Sequence, residues 1–593
     1  MIVRRSFTVL LHILCCAVIG VASFRQKWRP KILNLTPLAR ENSCFIHCVY
    51  NVVASPVVCS LTASDKRPST IRQLASKPSG GKADRPTKVR VRIAPSPTGD
   101  LHVGNLRTFI YNYLFALRHN GRVILRVDDT DVTREVPGSL DRIIYDLKWV
   151  GLSWSRGPGG TGNPDAYYQS KRQDAYKEVA GLLLQRDKAY RCFCSKEDIQ
   201  NRREANDGPF PKITYDKACS NLSSDQVEAN LAKGMPYTVR FRSPYSSEED
   251  FILLRSDGTA TYNFACAVDD HEHDITHVIR AIDHLGNTCK QQMILEAVGT
   301  AVPKYAHCSL MRNMDHTKIA KRDGNSTKVS DLREMGFCKL PIVNYLACLG
   351  TKYADEPECR SMRELSKLFE LQMMNLTPIA FDISKLKWLN RKYISELSYE
   401  QFLEHLREYT SVVTELKLDF PLDDFMAIVE QSPAFLKNGV DTMGDYVSMM
   451  NSALSYKTPL FVPSGHCGYG GVFLNEESQG FLEVFIEWAQ QLIAASDVGE
   501  SLYTLARDMF HSDEFAAING RQHLPVVRYA LTGVTSGPPL TTLVDIWRMA
   551  EQNGLPGLMP LRERILKLRE IDLTAVDPIC DRLFNKEPEQ SEL

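Results

Sequence analysis

Net charge of either sign is missing from this sequence of 593 residues, because 71 Lys and Arg side chains balance 71 Asp and Glu side chains. The balance conceals an asymmetry: residues 1–88 carry 14 basic and 3 acidic side chains, whereas the remainder carries 57 and 68. A general electrostatic attraction to nucleic acid is therefore excluded as an argument for function. An RNA-binding protein of this composition needs locally basic surfaces within an acidic whole.

A dense cysteine framework is also missing. The 16 cysteines are scattered along the chain, and five of them precede residue 60. This distribution excludes a small disulfide-built scaffold, so we expect mostly reduced and buried thiols. The length instead favours two to four domains with ordinary hydrophobic cores.

Acidic residues are scarce at the N terminus. Residues 1–23 place Arg4 and Arg5 before an apolar run that is short for a membrane span, which is typical of a secretory signal peptide. A retained membrane anchor is the alternative. Residues 24–87 are basic and rich in Ser, Thr and Pro, like a transit peptide without a fold. Together the two segments predict a plastid reached through the secretory route, as in apicomplexan-type parasites, with the mitochondrion as the alternative destination.

The stretch RIAPSPTGDLHVGNLRTFIYNYLFA, residues 92–116, predicts a strand, a tight turn and a helix. A helix that begins near His102 directs free backbone N–H groups and a positive dipole end at its ligand, which suits a phosphate. Gly99 and Gly104 permit close approach of a nucleotide, and a neutral His102 imidazole adds a hydrogen-bond donor.

Further charged groups follow at intervals. The predicted strand in GRVILRVDDTD, residues 121–131, ends in Asp128, where open α/β sheets place ligands; solvated turn aspartates are the alternative. The alternation of strands and helices favours a parallel sheet. Lys318 and Lys321 in KIAKRDG have a spacing that suits a triphosphate, although basic loops are usually solvated surface.

Three cysteines form an incomplete metal motif. Cys192, Cys194 and Cys219 have the spacing of zinc ligands, but Asn221 stands where a fourth ligand is expected. Asparagine is a poor zinc ligand, so we expect packed or free thiols and no bound zinc.

In combination these stretches resemble a glutamyl-tRNA synthetase of the bacterial and organellar type, a class I aminoacyl-tRNA synthetase. The matching segments run in family order from about residue 89 to residue 540: APSPTGDLHVGN, RVDDTD, SDGTATYNFACAVDDH, THVIRAIDHLGNT, KIAKRDG, NYLACLG, FDISKLKWLNRKYI and RYALTGVTSGPPL. HVGN stands for the family's HIGH signature and KIAKR for its KMSKS signature. The chain departs from the pattern at Asp128, where Glu is usual, and at Ala320, where Ser is usual. The missing fourth zinc ligand fits relatives whose inserted domain lacks metal.

The resemblance implies an α/β fold built on a Rossmann-type parallel-sheet catalytic domain. The two halves of this domain are residues 88–190 and 251–324, and residues 191–250 form an inserted α+β domain that binds the tRNA acceptor. An all-α stem-contact domain, residues 325–394, and a helical anticodon-binding domain, residues 395–593, are expected to follow.

The implied activity is ATP-dependent ligation of L-glutamate to tRNA(Glu) through glutamyl-adenylate, in organellar protein synthesis and with Mg²⁺ accompanying ATP. The resemblance leaves open whether tRNA(Gln) is also charged. We expect a monomer, and no membrane association of the mature enzyme. The alternative is a paralogue that kept the fold for RNA binding or assembly and lost catalysis.

The resemblance also implies the site residues. The glutamate pocket consists of Arg92, Ala94, Ser96, Asp128, Tyr262, Cys266 and Arg280. The ATP site consists of His102, Gly104, Asp283, Lys318 and Lys321, and all of these except Asp283 carry the catalytic role. Two arginines suit a substrate with two carboxylates, because a guanidinium can bind a carboxylate through two hydrogen bonds. Which carboxylate each arginine binds is left open.

Overall fold

The computed structural model describes most of the chain after the leader: residues 88–204, 215–244, 249–312, 328–351, 359–375, 377–413, 416–457, 459, 461–463, 472–474, 476–497, 501–517, 523–534 and 537–571. The predicted signal and transit segments and the KIAKR motif lie outside these residues. The chain divides into two units, one containing the residues up to 330 together with 342–382, and the other containing 331–341 and everything from 383 onward. None of the helices in the described ranges has the length and apolar character needed to span a membrane.

The first unit combines short strands with helices. Its strands are β1 (Arg90–Ile93), β2 (Arg122–Leu125), β3 (Ala189–Cys192), β4 (Thr238–Phe241), β5 (Ile252–Leu254), β6 (His277–Ala281), β7 (Lys304–Cys308), β8 (Met311–Arg312) and β9 (Ile379–Ala380). Its helices are α1 (Val103–Arg118), α2 (Ser139–Trp149), α3 (Gln173–Gln185), α4 (Lys196–Glu204), α5 (Ser224–Ala232), α6 (Tyr262–Glu272) and α7 (Leu285–Val298). The boundaries between the units fall within α8 (Val329–Glu334) and α9 (Lys339–Cys348), and α10 (Met362–Leu368) belongs to the first unit.

The predicted parallel sheet is confirmed. Strand β1 pairs in parallel with β2, and β6 pairs in parallel with β7. The two pairs adjoin, because the backbone N–H of Thr276 donates to the carbonyl oxygen of Arg90 at 2.9 Å. Buried aliphatic residues such as Val91 and Ile279 fill the strands, as expected when helices cover both faces of a parallel sheet.

Helix α1 connects β1 to β2 and packs on β1, β2 and β6. Its buried face has the predicted helical spacing and includes Leu106, Ile110 and Leu114. The helix begins after His102, whose side chain caps the first turn. The predicted strand, turn and helix are therefore all present.

The segment inserted between the parallel pairs contains an antiparallel sheet in the order β3, β4, β5. Asp250 is 1% exposed and organises this sheet. Its carboxylate accepts hydrogen bonds from the Tyr190 hydroxyl at 2.8 Å and from the Ser243 backbone N–H at 2.9 Å. The predicted α+β character of the insertion is therefore present.

The second unit is mostly helical. Its helices are α11 (Ile383–Glu396), α12 (Tyr399–Val412), α13 (Leu422–Gln431), α14 (Met443–Leu454), α15 (Glu476–Ser496), α16 (Leu502–His511), α17 (Asp513–Ala517), α18 (Leu524–Thr532), α19 (Leu540–Gln552) and α20 (Leu561–Lys567). Two hydrophobic clusters form its cores, and Trp547, fully buried, donates from Nε1 to the carbonyl of Ala453 at 2.7 Å. Among the described residues, the expected all-α architecture is interrupted twice: by the parallel pair β10 (Phe461–Pro463) and β11 (Val472–Leu474), and by β9 in the predicted stem-contact domain, which pairs with β8.

Candidate active site

A buried cluster of charged side chains lies at the carboxyl ends of the parallel strands. Arg92 is near the end of β1, Arg126 and Asp128 directly follow β2, and Arg280 is near the end of β6. Asp270 reaches the cluster from α6. The carboxyl edge of an open α/β sheet is where ligands bind, so the fold places this cluster where a substrate site is expected.

Arg126 is the centre of the cluster, and its side chain is fully buried. Its Nε donates to Oδ1 of Asp128 at 2.7 Å, and its Nη1 donates to Oδ1 of Asp270 at 2.6 Å. The same Asp270 oxygen accepts from Nε of Arg92 at 3.2 Å. Two cations and two anions thus form one continuous ion-pair network.

The local field sets the ionisation of these carboxylates. Burial raises the pKa of Asp270, but the adjacent guanidinium groups of Arg92 and Arg126 outweigh burial and hold it below its ordinary value. Burial raises the pKa of Asp128 above its ordinary value, although Arg126 opposes that rise. Because Arg126 donates two hydrogen bonds to the Asp128 carboxylate, we assign the ionised form to Asp128 as well.

Arg280 differs from the other two arginines. Its Nη1 donates to Oε1 of Gln291 at 2.9 Å and its Nη2 donates to Oγ1 of Thr288 at 2.8 Å, both neutral oxygen atoms on α7. Its guanidinium also lies 5.3 Å from the centre of the Tyr305 ring. Among the described residues, no Asp or Glu oxygen lies within 4.0 Å of its nitrogens. Burial lowers the pKa of Arg280, and the nearby Arg92 lowers it further.

Two predicted pocket residues come from α6. Cys266 is fully buried, with Sγ 3.5 Å from Oδ2 of Asp128, and burial raises the pKa of its thiol, so the thiol is neutral. Tyr262 stands at the first position of the helix, and its hydroxyl is 3.4 Å from Nδ1 of His284. Burial raises the pKa of Tyr262, whose electrostatic neighbours include Cys266, Asp128 and Arg280. The structure therefore gathers Arg92, Asp128, Tyr262, Cys266 and Arg280 into one site.

The remaining two residues of the predicted glutamate pocket lie in the turn after β1. Ala94 is partly buried and Ser96 is exposed. The turn is fixed to the end of the neighbouring strand, because the backbone N–H of Asp128 donates to the carbonyl of Pro95 at 3.0 Å. Ala94 and Ser96 therefore lie beside the cluster, because the backbone between them is hydrogen-bonded to Asp128. Among the described residues, no side chain forms a hydrogen bond with the Ser96 hydroxyl.

His102 and Gly104 form the start of α1. Nδ1 of His102 accepts a hydrogen bond from the backbone N–H of Gly104 at 3.2 Å, so Nε2 carries the proton of the neutral ring. A Cβ added at Gly104 would lie 3.5 Å from His102, which is ordinary contact, so folding alone does not require glycine here. Gly99, with a φ of 140°, has a backbone conformation that favours glycine.

The rest of the predicted ATP site is only partly described. Asp283 lies in the short 3₁₀ turn Ile282–His284 that joins β6 to α7, and its side chain is 43% exposed. Lys318 and Lys321 lie outside the described residues. The described chain resumes at Lys328, which pairs with Asp100 at 3.1 Å and forms a backbone bridge with His102. The segment that follows KIAKR therefore returns to the HVGN turn.

The three cysteines of the inserted segment come together. The Sγ atoms of Cys192, Cys194 and Cys219 all lie within 4.8 Å of one another. The Tyr215 hydroxyl is 3.2 Å from the sulfur of Cys192, and Nη2 of Arg202 is 2.9 Å from the sulfur of Cys194. A guanidinium beside a thiol disfavours a metal cation at that position, so the absence of bound zinc stays our prediction.

Four side chains in the hydrogen-bond network of this site are missing from the residues predicted from the sequence: Arg126, Asp270, Thr288 and Gln291. Arg126 lies in the stretch RVDDTD, and Asp270 lies in SDGTATYNFACAVDDH. The sequence around Arg126 and Asp270 carries a usable signal. A charged residue on the apolar face of a predicted strand or helix needs a buried partner of opposite charge. Gln291 and Thr288 lie three residues apart on α7, the spacing that places two side chains on one helix face.

Comparisons with known proteins identify the family of this chain. The family model for the catalytic domain of class I tRNA synthetases (E and Q) matches residues 88–388. The glutamate–tRNA ligase 2 of Caldicellulosiruptor saccharolyticus is 32% identical over 478 residues, which cover 77% of this chain and 96% of the relative. A glutamate–tRNA ligase of Clostridium botulinum is 38% identical over 394 residues, covering 63% of this chain and 80% of the relative.

A solved structure is similar over most of the chain. The crystal structure of a glutamate tRNA ligase from Elizabethkingia meningosepticum, in complex with its amino acid, superimposes with a TM-score of 0.63 at 26% identity. The match covers 82% of this chain and 99% of that chain. With a family model that spans half of the sequence and a relative matched over nearly its whole length, the chain belongs to the class I tRNA synthetases of the glutamate and glutamine group.

Proposed function

We propose that this enzyme is a glutamate–tRNA ligase, which joins L-glutamate to tRNA(Glu) at the expense of ATP. The supporting observation is the charge of the buried cluster. Three arginines (Arg92, Arg126 and Arg280) and two ionised carboxylates (Asp128 and Asp270) give it a net charge of +1. Glutamate has a net charge of −1 at neutral pH, so its binding neutralises the site, whereas glutamine leaves one buried positive charge without a partner.

In the first step, an oxygen of the glutamate α-carboxylate attacks the α-phosphorus of ATP. The bond from that phosphorus to the oxygen that bridges the α- and β-phosphates breaks, and pyrophosphate leaves with the electron pair; Mg²⁺ bound with ATP would supply further charge neutralisation. The Nε2–H of His102 and the positive end of the α1 dipole stabilise the charge on the phosphate oxygens. Gly104 leaves room for the phosphates, Asp283 accepts a hydrogen bond from the ribose, and Lys318 and Lys321 stabilise the leaving pyrophosphate.

In the second step, the terminal ribose hydroxyl of the tRNA attacks the carbonyl carbon of glutamyl-adenylate. The ester bond forms, the hydroxyl proton is released, the bond from that carbon to the phosphate oxygen breaks, and AMP leaves with the electron pair. No covalent intermediate with the protein is needed. The protein contributes positioning and charge stabilisation in both steps.

Aminoacylation of a tRNA(Glu) transcript tests this proposal directly. We expect glutamate-dependent charging by the wild-type protein. The His102→Ala variant is expected to lose ~100–1,000-fold in kcat, the usual effect of removing one preorganised donor. His511→Ala, in α16 of the second unit, is the matched control and should keep its activity. Failure of the wild type to charge glutamate would refute the proposal and favour a paralogue without catalysis.

We further propose that the enzyme charges both tRNA(Glu) and tRNA(Gln). The support is the resemblance to organellar enzymes, which often charge both and leave an amidotransferase to correct the second product. Parallel aminoacylation of the two transcripts measures the choice. Charging of tRNA(Glu) alone would refute dual specificity and leave the ligase function intact.

For the destination, we propose a plastid reached by a signal peptide at residues 1–23 and a transit segment at residues 24–87. The support is the order of an apolar segment and a basic, acid-poor segment. A reporter fused to residues 1–88 should reach the plastid, and delivery to mitochondria would refute the proposal. We also propose that the mature enzyme is a monomer and does not associate with membranes. Light scattering of the purified protein measures its oligomeric state.

A further inference from the structure

We infer that Thr288 and Gln291 are positioning residues for substrate selection: they hold Arg280 by neutral oxygen atoms only, which leaves its positive charge for the side-chain carboxylate of glutamate. This inference rests on the proposed function and assigns a role to two residues that touch the substrate only through Arg280.

The two residues form a rigid cradle. Gln291 is fully buried and Thr288 is 1% exposed, and each accepts one hydrogen bond from a different terminal nitrogen of Arg280. Both oxygens are fixed in turn: Nε2 of Gln291 donates to Oδ1 of Asn263 at 3.2 Å, and the Thr288 hydroxyl lies 3.0 Å from Nε2 of His307. The guanidinium is thus fixed in position before any substrate arrives.

The cradle leaves a binding edge on Arg280. Its Nε is buried and has no hydrogen-bond partner among the described residues. A buried N–H without a partner is costly, and a charged one more so. A carboxylate that accepts from this edge would remove the cost through charge-assisted hydrogen bonds, which are stronger than those to a neutral amide oxygen.

The surroundings keep the charge of Arg280 uncompensated. Arg92 and Arg126 are neutralised by Asp270 and Asp128, so those carboxylates are already engaged. His307 adds no charge, because burial lowers its pKa to about 3. Arg280 is therefore the only one of the three arginines in the cluster that still lacks an anionic partner among the described residues. Its cradle makes the site select an acidic side chain over an amide.

The test is Gln291→Glu, which keeps the size and the accepting oxygen but supplies a permanent carboxylate to Arg280. We expect kcat/KM for glutamate in tRNA-dependent ATP–pyrophosphate exchange to fall at least ~100-fold, since the substrate's partner is already neutralised. The KM for ATP is expected to be unchanged. The melting temperature should stay close to that of the wild type, because the ion pair gained with Arg280 offsets the hydrogen bond to Asn263 that the variant loses. The preference for glutamate over glutamine should shrink.

Controls separate positioning from folding. Gln401→Glu makes the same chemical change in the N-terminal capping box of α12, where glutamate serves equally well, and should behave as wild type. Thr288→Val removes the second oxygen at nearly constant shape, and should raise the KM for glutamate ~10-fold, while Thr288→Ser should not. If Gln291→Glu does not fold, the Thr288 variants decide the question.

Two results would overturn the inference. One is wild-type glutamate activation by Gln291→Glu or by Thr288→Val. The other is a joint loss of glutamate binding, ATP binding and melting temperature, which is the signature of a purely structural role. A wild-type protein that activates no glutamate would instead overturn the proposed function, so the two failures are distinguishable.

Discussion

Replacement of Arg126 by methionine is the perturbation whose effect the structure defines most closely. The guanidinium is fully buried and serves two carboxylates at once, Asp128 at 2.7 Å and Asp270 at 2.6 Å. Methionine fills a similar volume without charge, so Arg126→Met removes the shared cation and leaves both anions in a buried site. The change therefore isolates the electrostatic part of the network.

The magnitude follows from two opposing effects. Unit charges about 4 Å apart attract by ~4 kcal/mol at an effective dielectric constant of about 20, and each buried carboxylate also loses its hydration. Removal of one partner from a buried ion pair destabilises proteins by ~3–5 kcal/mol. In a unit of this size we expect the melting temperature to fall by roughly 6–20 °C, at about 2–4 °C per kcal/mol.

The assay is thermal unfolding of purified wild type and Arg126→Met, followed by near-ultraviolet circular dichroism. The companion variant Arg126→Met/Asp128→Asn removes Asp128 together with its cation, keeps Asp270 paired with Arg92, and should recover most of the lost stability. Its glutamate activation should stay poor, because the net charge of the site stays at +1 but the network that holds Arg92 has lost two members. A single variant with less than ~1 kcal/mol of destabilisation, the value typical of exposed ion pairs, would refute the reasoning.

Three further predictions concern stability. Trp547→Ala removes a fully buried ring whose Nε1 donates to Ala453 and should lower the free energy of unfolding by ~3–5 kcal/mol in chemical denaturation; a loss below 1 kcal/mol would contradict this packing. Gly157→Ala should be strongly destabilising, because φ is 108° and a Cβ there would lie 2.0 Å from the carbonyl oxygen of Leu125; wild-type melting would contradict it. His307 has a folded pKa of about 3, below the ordinary 6.5, so the unfolded state binds more protons between these values. Stability should therefore fall as pH is lowered through this window, by ~1.4 kcal/mol per pH unit for this residue, and His307→Gln should flatten the slope in a pH series of melting curves.

The sequence was sufficient to predict the elements around the HVGN motif. Pro and Gly occupy the turn before His102, and apolar residues recur at helical spacing after it. The turn residues and the helical periodicity therefore predict the same start of the helix. The position of Asp128 at the carboxyl end of a buried strand follows from the same reasoning. In this region the local sequence preferences and the overall fold both favour the same strand, turn and helix.

The ion-pair network was not predicted, because its members come from strands and helices far apart in the chain. Arg126 and Asp270 are separated by 144 positions, and no periodicity reports a contact over that distance. The neutral partners of Arg280 were missed for a different reason: Thr288 and Gln291 read as ordinary polar residues of an amphipathic helix. Only their burial reveals that they serve another side chain.

The most direct measurement of the central claim is ATP–pyrophosphate exchange by the purified protein with tRNA, supplied in turn with glutamate, glutamine and aspartate. The charge balance at Arg92, Arg126, Arg280, Asp128 and Asp270 predicts exchange that depends on glutamate and is poor with the neutral glutamine. It also predicts that Arg280→Gln loses this preference. Equal exchange with glutamate and glutamine, or none with glutamate in the presence of tRNA, would contradict the account.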